Sequence, residues 1–281
     1  MLSCPYRPVT PSRPEREWRV SAPRAACDLS VGGTVGATTL HRIHLRILGA
    51  VDLRDSDGRE VTGVLAQPRR LALLAYLALA PPGEFQRRAT LLGMFWPESD
   101  DTHARGALRQ ALRFLRRALG ADVLPGRGDA EVRLDPAACA CDAVAFEGAV
   151  AAADRDAALA LYRGDLLDGF FIDAAPAFDD WLERRRGRLS RLYATTLEQL
   201  AAVRAAQDDH AGAVECWRTL TARAPESGHA VLGLMRALEA AGDRAGALHA
   251  VERHRVLLAR DLDAVPDAAV LALAERLRCR A

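Results

Sequence analysis

The segment Asp209-His210-Ala211-Gly212-Ala213 returns 34 residues later as Asp243-Arg244-Ala245-Gly246-Ala247, and nothing else in the chain restricts its fold as tightly. Each copy follows one amphipathic stretch and opens another, so one period spans two helices with small residues where they cross. A unit of that size cannot bury its apolar face alone and has to stack on a neighbour. Composition points the same way. Half the residues are hydrophobic but only 5% are aromatic, so the cores are built mainly from Ala, Leu and Val, and Ala and Leu favour helix. The segment Asp154–Tyr162, with Ala157, Ala158 and Leu159, is a looser relative of the same unit.

A 34-residue period, with Pro225 closing the first copy, is the tetratricopeptide-type pattern of paired helices. Residues 143–281 are therefore expected to form an all-α, tetratricopeptide-like domain. The first half reads differently. Residues 1–40 carry prolines, glycines and serines without periodicity and are expected to be a disordered extension. Over 41–137, Ile43, Leu45 and Ile47 alternate with polar neighbours as in a half-buried strand. Val51 and Leu53 continue the pattern, Asp55–Gly58 is a hairpin turn, and a third strand is expected around Val61. Pro68 opens a helix through Ala80, a second helix runs from Arg88 to Phe95 before Pro97, and Asp100 or Asp101 caps a third that ends at Leu119 before Gly120. Two short strands are expected around Val123-Leu124 and Glu131–Leu134. Three strands, three helices and a terminal hairpin are the plan of a winged helix-turn-helix with an N-terminal sheet. Residues 136–142 read as a linker. The fold class is thus mainly α with a small α+β domain.

Several chemistries are excluded. All 38 Lys-plus-Arg positions are arginine, so there is no P-loop lysine and no Schiff-base lysine. The cysteines (Cys4, Cys27, Cys139, Cys141, Cys216 and Cys279) lack zinc-site spacing and read as reduced, small apolar side chains. No metal, cofactor or catalytic residue is expected, and no nucleophile or phosphate-loop motif is present. Asp165, Asp168, Asp173, Asp179 and Asp180 read as caps and turn residues. No run reaches the ~18 apolar residues of a membrane span, and no secretory leader is apparent, so a cytoplasmic protein is expected.

The third helix carries the functional signal. Within Thr102–Leu119 stand Arg105, Arg109, Arg113, Arg116 and Arg117 and no acidic residue. At about 100° per residue, the first four share a face about a quarter-turn wide with Arg117 at its edge, beside a stripe of Leu108, Leu112, Leu115 and Leu119. Solvated helices usually mix signs, because like charges repel. An unmixed arginine face implies an external polyanion. Charge is segregated along the chain too. Residues 41–135 hold 15 Arg against 12 Asp plus Glu, and residues 143–281 hold 18 against 21, inside a net charge of only +1. Such a face attracts duplex phosphates. As a recognition helix it would offer Arg109 and Arg113 to guanine and Gln110 to adenine. Arg105, Arg116 and Arg117 would take phosphates, and Arg127, at the tip of the terminal hairpin, would touch the minor groove or backbone as a wing.

The stretches LRILGAVDLRDSDGREV, RRLALLAYLALAPPG, LLGMFWPESDDTHARGALRQALRFLRRALG, VRLDPAACACDAVAFEGAV and ALALYRGDLLDGFFIDAAPAFDDWLERRRGRL, in that order, resemble the Streptomyces antibiotic regulatory protein family. The last resembles the opening of its bacterial transcriptional activator domain. The resemblance implies a regulator, commonly an activator, whose winged helix binds repeats in double-stranded promoter DNA and whose helical domain serves oligomerisation, with a homodimer suiting tandem sites. It also implies that the connection holding Trp96, Glu98, Asp100 and Asp101 faces RNA polymerase, although Trp96 reads first as a core aromatic closing the helix-turn-helix. The alternative is a tetratricopeptide-like scaffold for a protein or peptide, whose winged helix no longer binds DNA.

Overall fold

The computed structural model describes residues 43–279, so the extension expected over 1–40 lies outside the described residues. Strand β1 (Ile43–Arg46) buries Ile43 and Leu45 and exposes His44 and Arg46. It pairs antiparallel with β2 (Asp52–Arg54), placing Leu45 opposite Leu53. In the turn that follows, the Asp55 carboxylate accepts the N–H groups of Asp57 and Arg59, and Gly58 takes a φ of 80°. The third strand expected around Val61 does not form. Glu60 makes one bridge back to Arg54, and the chain then closes into a single helical turn, α1 (Thr62–Leu65), which buries Val64.

Helix α2 (Pro68–Ala78) starts on its proline and is capped at Leu79. The short strand β3 (Gln86–Arg87) leads into α3 (Arg88–Phe95). Helix α4 (Asp101–Leu119) starts where the Asp100 carboxylate accepts the His103 N–H at 3.0 Å, and stops at Gly120, whose φ of 110° few other residues adopt. The strand expected around Val123-Leu124 lies further on. Residues Ala121–Val123 form a 3₁₀ turn, and the hairpin consists of β4 (Gly126–Arg127) and β5 (Glu131–Val132). Strand β5 lies between β4 and β3, so the wing is a three-stranded antiparallel sheet.

Residues 136–142, expected as a linker, hold strand β6 (Cys139–Cys141), which runs parallel to β1 with Ile43 opposite Cys139. The N-terminal sheet therefore has the order β2-β1-β6. The carboxylate of Asp142 fixes the joint by accepting the N–H groups of Ile47 and Leu48 at 2.9 and 3.1 Å. Burial raises its pKa, against the lowering effect of those two N–H donors.

Seven helices follow: α5 (Asp142–Ala151), α6 (Arg155–Leu161), α7 (Pro176–Ala206), α8 (His210–Arg223), α9 (Gly228–Ala240), α10 (Arg244–Asp261) and α11 (Ala268–Cys279). From α7 to α11 each packs on the next. The recurring pentapeptide now has a local cause. Asp209 and Asp243 cap α8 and α10 by accepting the N–H groups of Gly212 and Gly246. A Cβ at either glycine would run into the capping carboxylate. Asp154 caps α6 in the same way through Ala157.

One apolar core runs from Ile43 to Ala230, and a second, smaller cluster joins α8 to α11. Helix α7 enters the first core at its start. Phe178 is fully buried, and Trp181 lies 5.0 Å from Tyr76 of α2, ring centre to ring centre. Its arginines tie backbone on both sides. Arg185 donates to the carbonyl of Leu79, and Arg186 to those of Leu166 and Leu167. Among the described residues, no helix is long and apolar enough to cross a membrane.

Candidate nucleic-acid interface

Helix α4 buries Ala104, Leu108, Ala111, Leu112, Leu115 and Leu119 against α1, α2 and α3. The leucine stripe read from the sequence is thus its inner face. Arg105, Arg109, Gln110, Arg113 and Arg117 are exposed on the outer side. Arg109, Arg113 and Arg117 make no hydrogen bond or ion pair with any described residue. Three guanidiniums of one sign therefore share a surface without an internal counter-charge.

The other two arginines of the helix have partners. Arg105 lies side-on to Asp101, one residue ahead of the stretch counted as free of acid, with both nitrogen–oxygen distances 2.9 Å. The pair is spaced i,i+4 and exposed, so it contributes only about 0.3–0.5 kcal/mol to the helix. Arg116 is half-buried, and its Nε donates to the carbonyl of Leu124 at 2.9 Å. It braces the start of the wing against α4, a role its place in the arginine series does not disclose. In the wing, the guanidinium of Arg127 lies 4.4 Å from the ring centre of Phe85 and 3.5 Å from Glu131. Arg133 lies over the same ring and donates to the carbonyl of Gly83. Two stacked cations hold the exposed hairpin in place.

Between the wing and α4 runs a groove of about 560 Å³, lined by Arg105 and Arg109 of α4 and by Arg87, Arg88, Asp129 and Glu131 at and beside the wing. Arg88 leans towards Asp129 at 3.8 Å. Arg87, at the N-cap position of α3, is exposed, and its side chain makes no hydrogen bond or ion pair with any described residue. It was not singled out from the sequence. The signal available was the pair Arg87-Arg88 directly before a helix start.

The connection between α3 and α4 divides. Trp96 is only 9% exposed, with its ring 6.0 Å from Phe95. It is a core residue and leaves the set of possible partner contacts, because its indole is already covered. Glu98, Asp100 and Asp101 are exposed. The Asp100 carboxyl is held below its ordinary range by the N–H and imidazole of His103, and Asp101 is engaged by Arg105. Of the cysteines, Cys139, Cys141 and Cys216 are buried and Cys279 is exposed, while Cys4 and Cys27 lie outside the described residues. Among the described residues, no cluster of His, Cys, Asp and Glu could hold a metal ion.

Comparison with known proteins adds two findings. A family described as "Bacterial transcriptional activator domain" matches residues 131–278. Among solved structures, the chain is similar to one titled "Mycobacterium tuberculosis EmbR in complex with low affinity phosphopeptide", with a TM-score of 0.61 and 22% identity. That likeness covers 85% of this chain and 65% of the other, so the chain spans just under two thirds of that structure. At this identity it shows a shared fold. No curated protein matches the sequence.

Proposed function

Because the chain belongs to the bacterial transcriptional activator domain family, and so to a class of transcription regulators rather than of enzymes, we propose that it regulates transcription by binding double-stranded promoter DNA through α4 and the wing. The observation that carries this reading is the set Arg109, Arg113 and Arg117: exposed, on one side of one helix, and without an internal anion. Keeping three like charges together costs a few tenths of a kcal/mol per pair, which a bound polyanion reverses. In this reading α4 lies in the major groove, where Arg109 and Arg113 reach guanine edges and Gln110 an adenine. Arg117 and Arg87 take phosphates, Arg105 does so by exchanging its bond to Asp101, and Arg127 follows the backbone from the wing. Arg116 is assigned to bracing rather than to DNA.

The reading extends to a protein working in the cytoplasm at the nucleoid, commonly as an activator. Pairs of protomers would occupy tandem half-sites, and Glu98, Asp100 and Asp101 would be turned towards RNA polymerase. The winged helix and helical repeats fold as one body, which suits a DNA-bound regulator.

The test is a gel shift with duplexes that the protein itself selects from a random pool, run over a series of salt concentrations. The phosphate contacts assigned to Arg87, Arg105, Arg117 and Arg127 predict a log–log slope of about −3 to −4. A flat salt response, or failure to select any duplex, would leave the helical scaffold as the function.

A further inference from the structure

On other elements than the arginine face, α7, α8 and α9 enclose a trough of about 280 Å³. Its floor is made of alanines such as Ala201 and Ala213, so the packed helices leave a channel their side chains do not fill. One wall is set by a glycine. A Cβ at Gly233 would stand only 2.4 Å from ring carbons of Trp217, so the indole lies directly against the α9 backbone. His229 stands edge-on to that indole at 5.7 Å, and its Nε2 is 3.2 Å from Glu198. The apolar wall is therefore in place before anything binds, which reduces the ordering cost of binding.

The charged groups of the lining differ in what they already bind. Glu198 is its one carboxylate, and His229 already engages it. Arg236 is exposed on the same lining and makes no hydrogen bond or ion pair with any described residue. His210, the remaining titratable group there, lies 4.0 Å from Asp208. The trough thus combines alanine-lined space, a fixed indole and one uncommitted guanidinium.

We infer that this trough is a docking site for a short acidic peptide segment, which sets a carboxylate on Arg236 and an aliphatic side chain against Trp217. A basic segment would bring like charge to Arg236. A wholly apolar one would desolvate that guanidinium without pairing it. The site shares no residue with the DNA-facing helix and stands whether or not α4 binds a duplex.

The experiment titrates the full chain into two fluorescein-labelled peptides, one alternating leucine with aspartate and one alternating leucine with lysine, and reads anisotropy. Saturable binding of the acidic peptide alone is expected. Arg236→Gln should weaken it about tenfold, the loss of one charge-assisted bond, and Ala205→Trp should block it by filling the trough. Circular dichroism of both variants checks that they are folded. Equal binding of the lysine peptide overturns the proposal. So does absence of binding by the acidic one, or an acidic-peptide affinity that neither folded variant changes.

Discussion

The ring of Phe178, in the first turn of α7, stands 5.3 Å from that of Phe95 at the end of α3, and both side chains are fully buried. A residue of the helical half thus completes the core beneath the helix-turn-helix. Phe178→Ala should cost about 3–5 kcal/mol, the range for removing a buried aromatic. The loss should appear as one cooperative transition in urea, because winged helix and helical array share that core. A fragment cut after residue 137 lacks both β6 and α7 and should give the circular dichroism of an unfolded chain. A well-folded fragment would refute the shared core.

The arginines of α4 separate into two kinds. Arg109→Ala with Arg113→Ala should abolish the gel shift and leave the melting temperature nearly unchanged, since both side chains are exposed and neither makes a hydrogen bond or ion pair with a described residue. Arg116→Ala should do the reverse in part. It leaves the Leu124 carbonyl without its donor, which costs about 1–3 kcal/mol. Duplex affinity should then fall through a loosened wing, measured together with hydrogen exchange over 124–132. Unchanged exchange there would remove the brace from the account.

Gly233→Ala should destabilise the helical array by about 1–3 kcal/mol, because a methyl group there displaces the Trp217 ring. Thermal unfolding measures the loss. Gly93→Ala, where nothing lies within 4 Å of the added Cβ, is the control and should stabilise its helix slightly.

Alkaline pH should unfold the protein from two directions. Burial pushes the Cys141 thiol up to about 12, and burial together with a hydrogen bond to Asp165 pushes the Tyr162 phenol up to about 12. Unfolded, these groups ionise near 9 and 10. The folded chain therefore holds protons that the unfolded chain releases. That contribution is complete below about pH 9 and is lost as the pH rises towards 12. In urea unfolding at stepped pH, Tyr162→Phe should show a shallower fall above pH 10 than the parent. Identical slopes would mean the phenol is not linked to folding.

What could be read from the sequence was whatever a few neighbouring residues decide. Pro68, Pro97, Asp100 and Gly120 punctuate the helices, and their ends fall within about two residues of the expected places. Helical periodicity put Arg105, Arg109, Arg113 and Arg116 on one face with Arg117 at its edge; Arg105, Arg109, Arg113 and Arg117 are exposed, and Arg116 is half-buried. What escaped depends on distant partners. The three residues of β6 alternate too briefly to announce a strand, and their partner β1 lies some 95 positions away. Arg116 has the same spacing as its neighbours and differs only because the chain after Gly120 folds back under it. Asp101 was missed as the counter-charge of Arg105 because it precedes the stretch by one residue.

Helix α7 is a single unbroken rod of 31 residues. One end is wedged under the helix-turn-helix by Phe178 and Trp181, and the other forms a side of the alanine-floored trough. The aromatic wedge under the helix-turn-helix and the wall of the trough are therefore carried on one continuous run of backbone hydrogen bonds, with no loop of the chain between them.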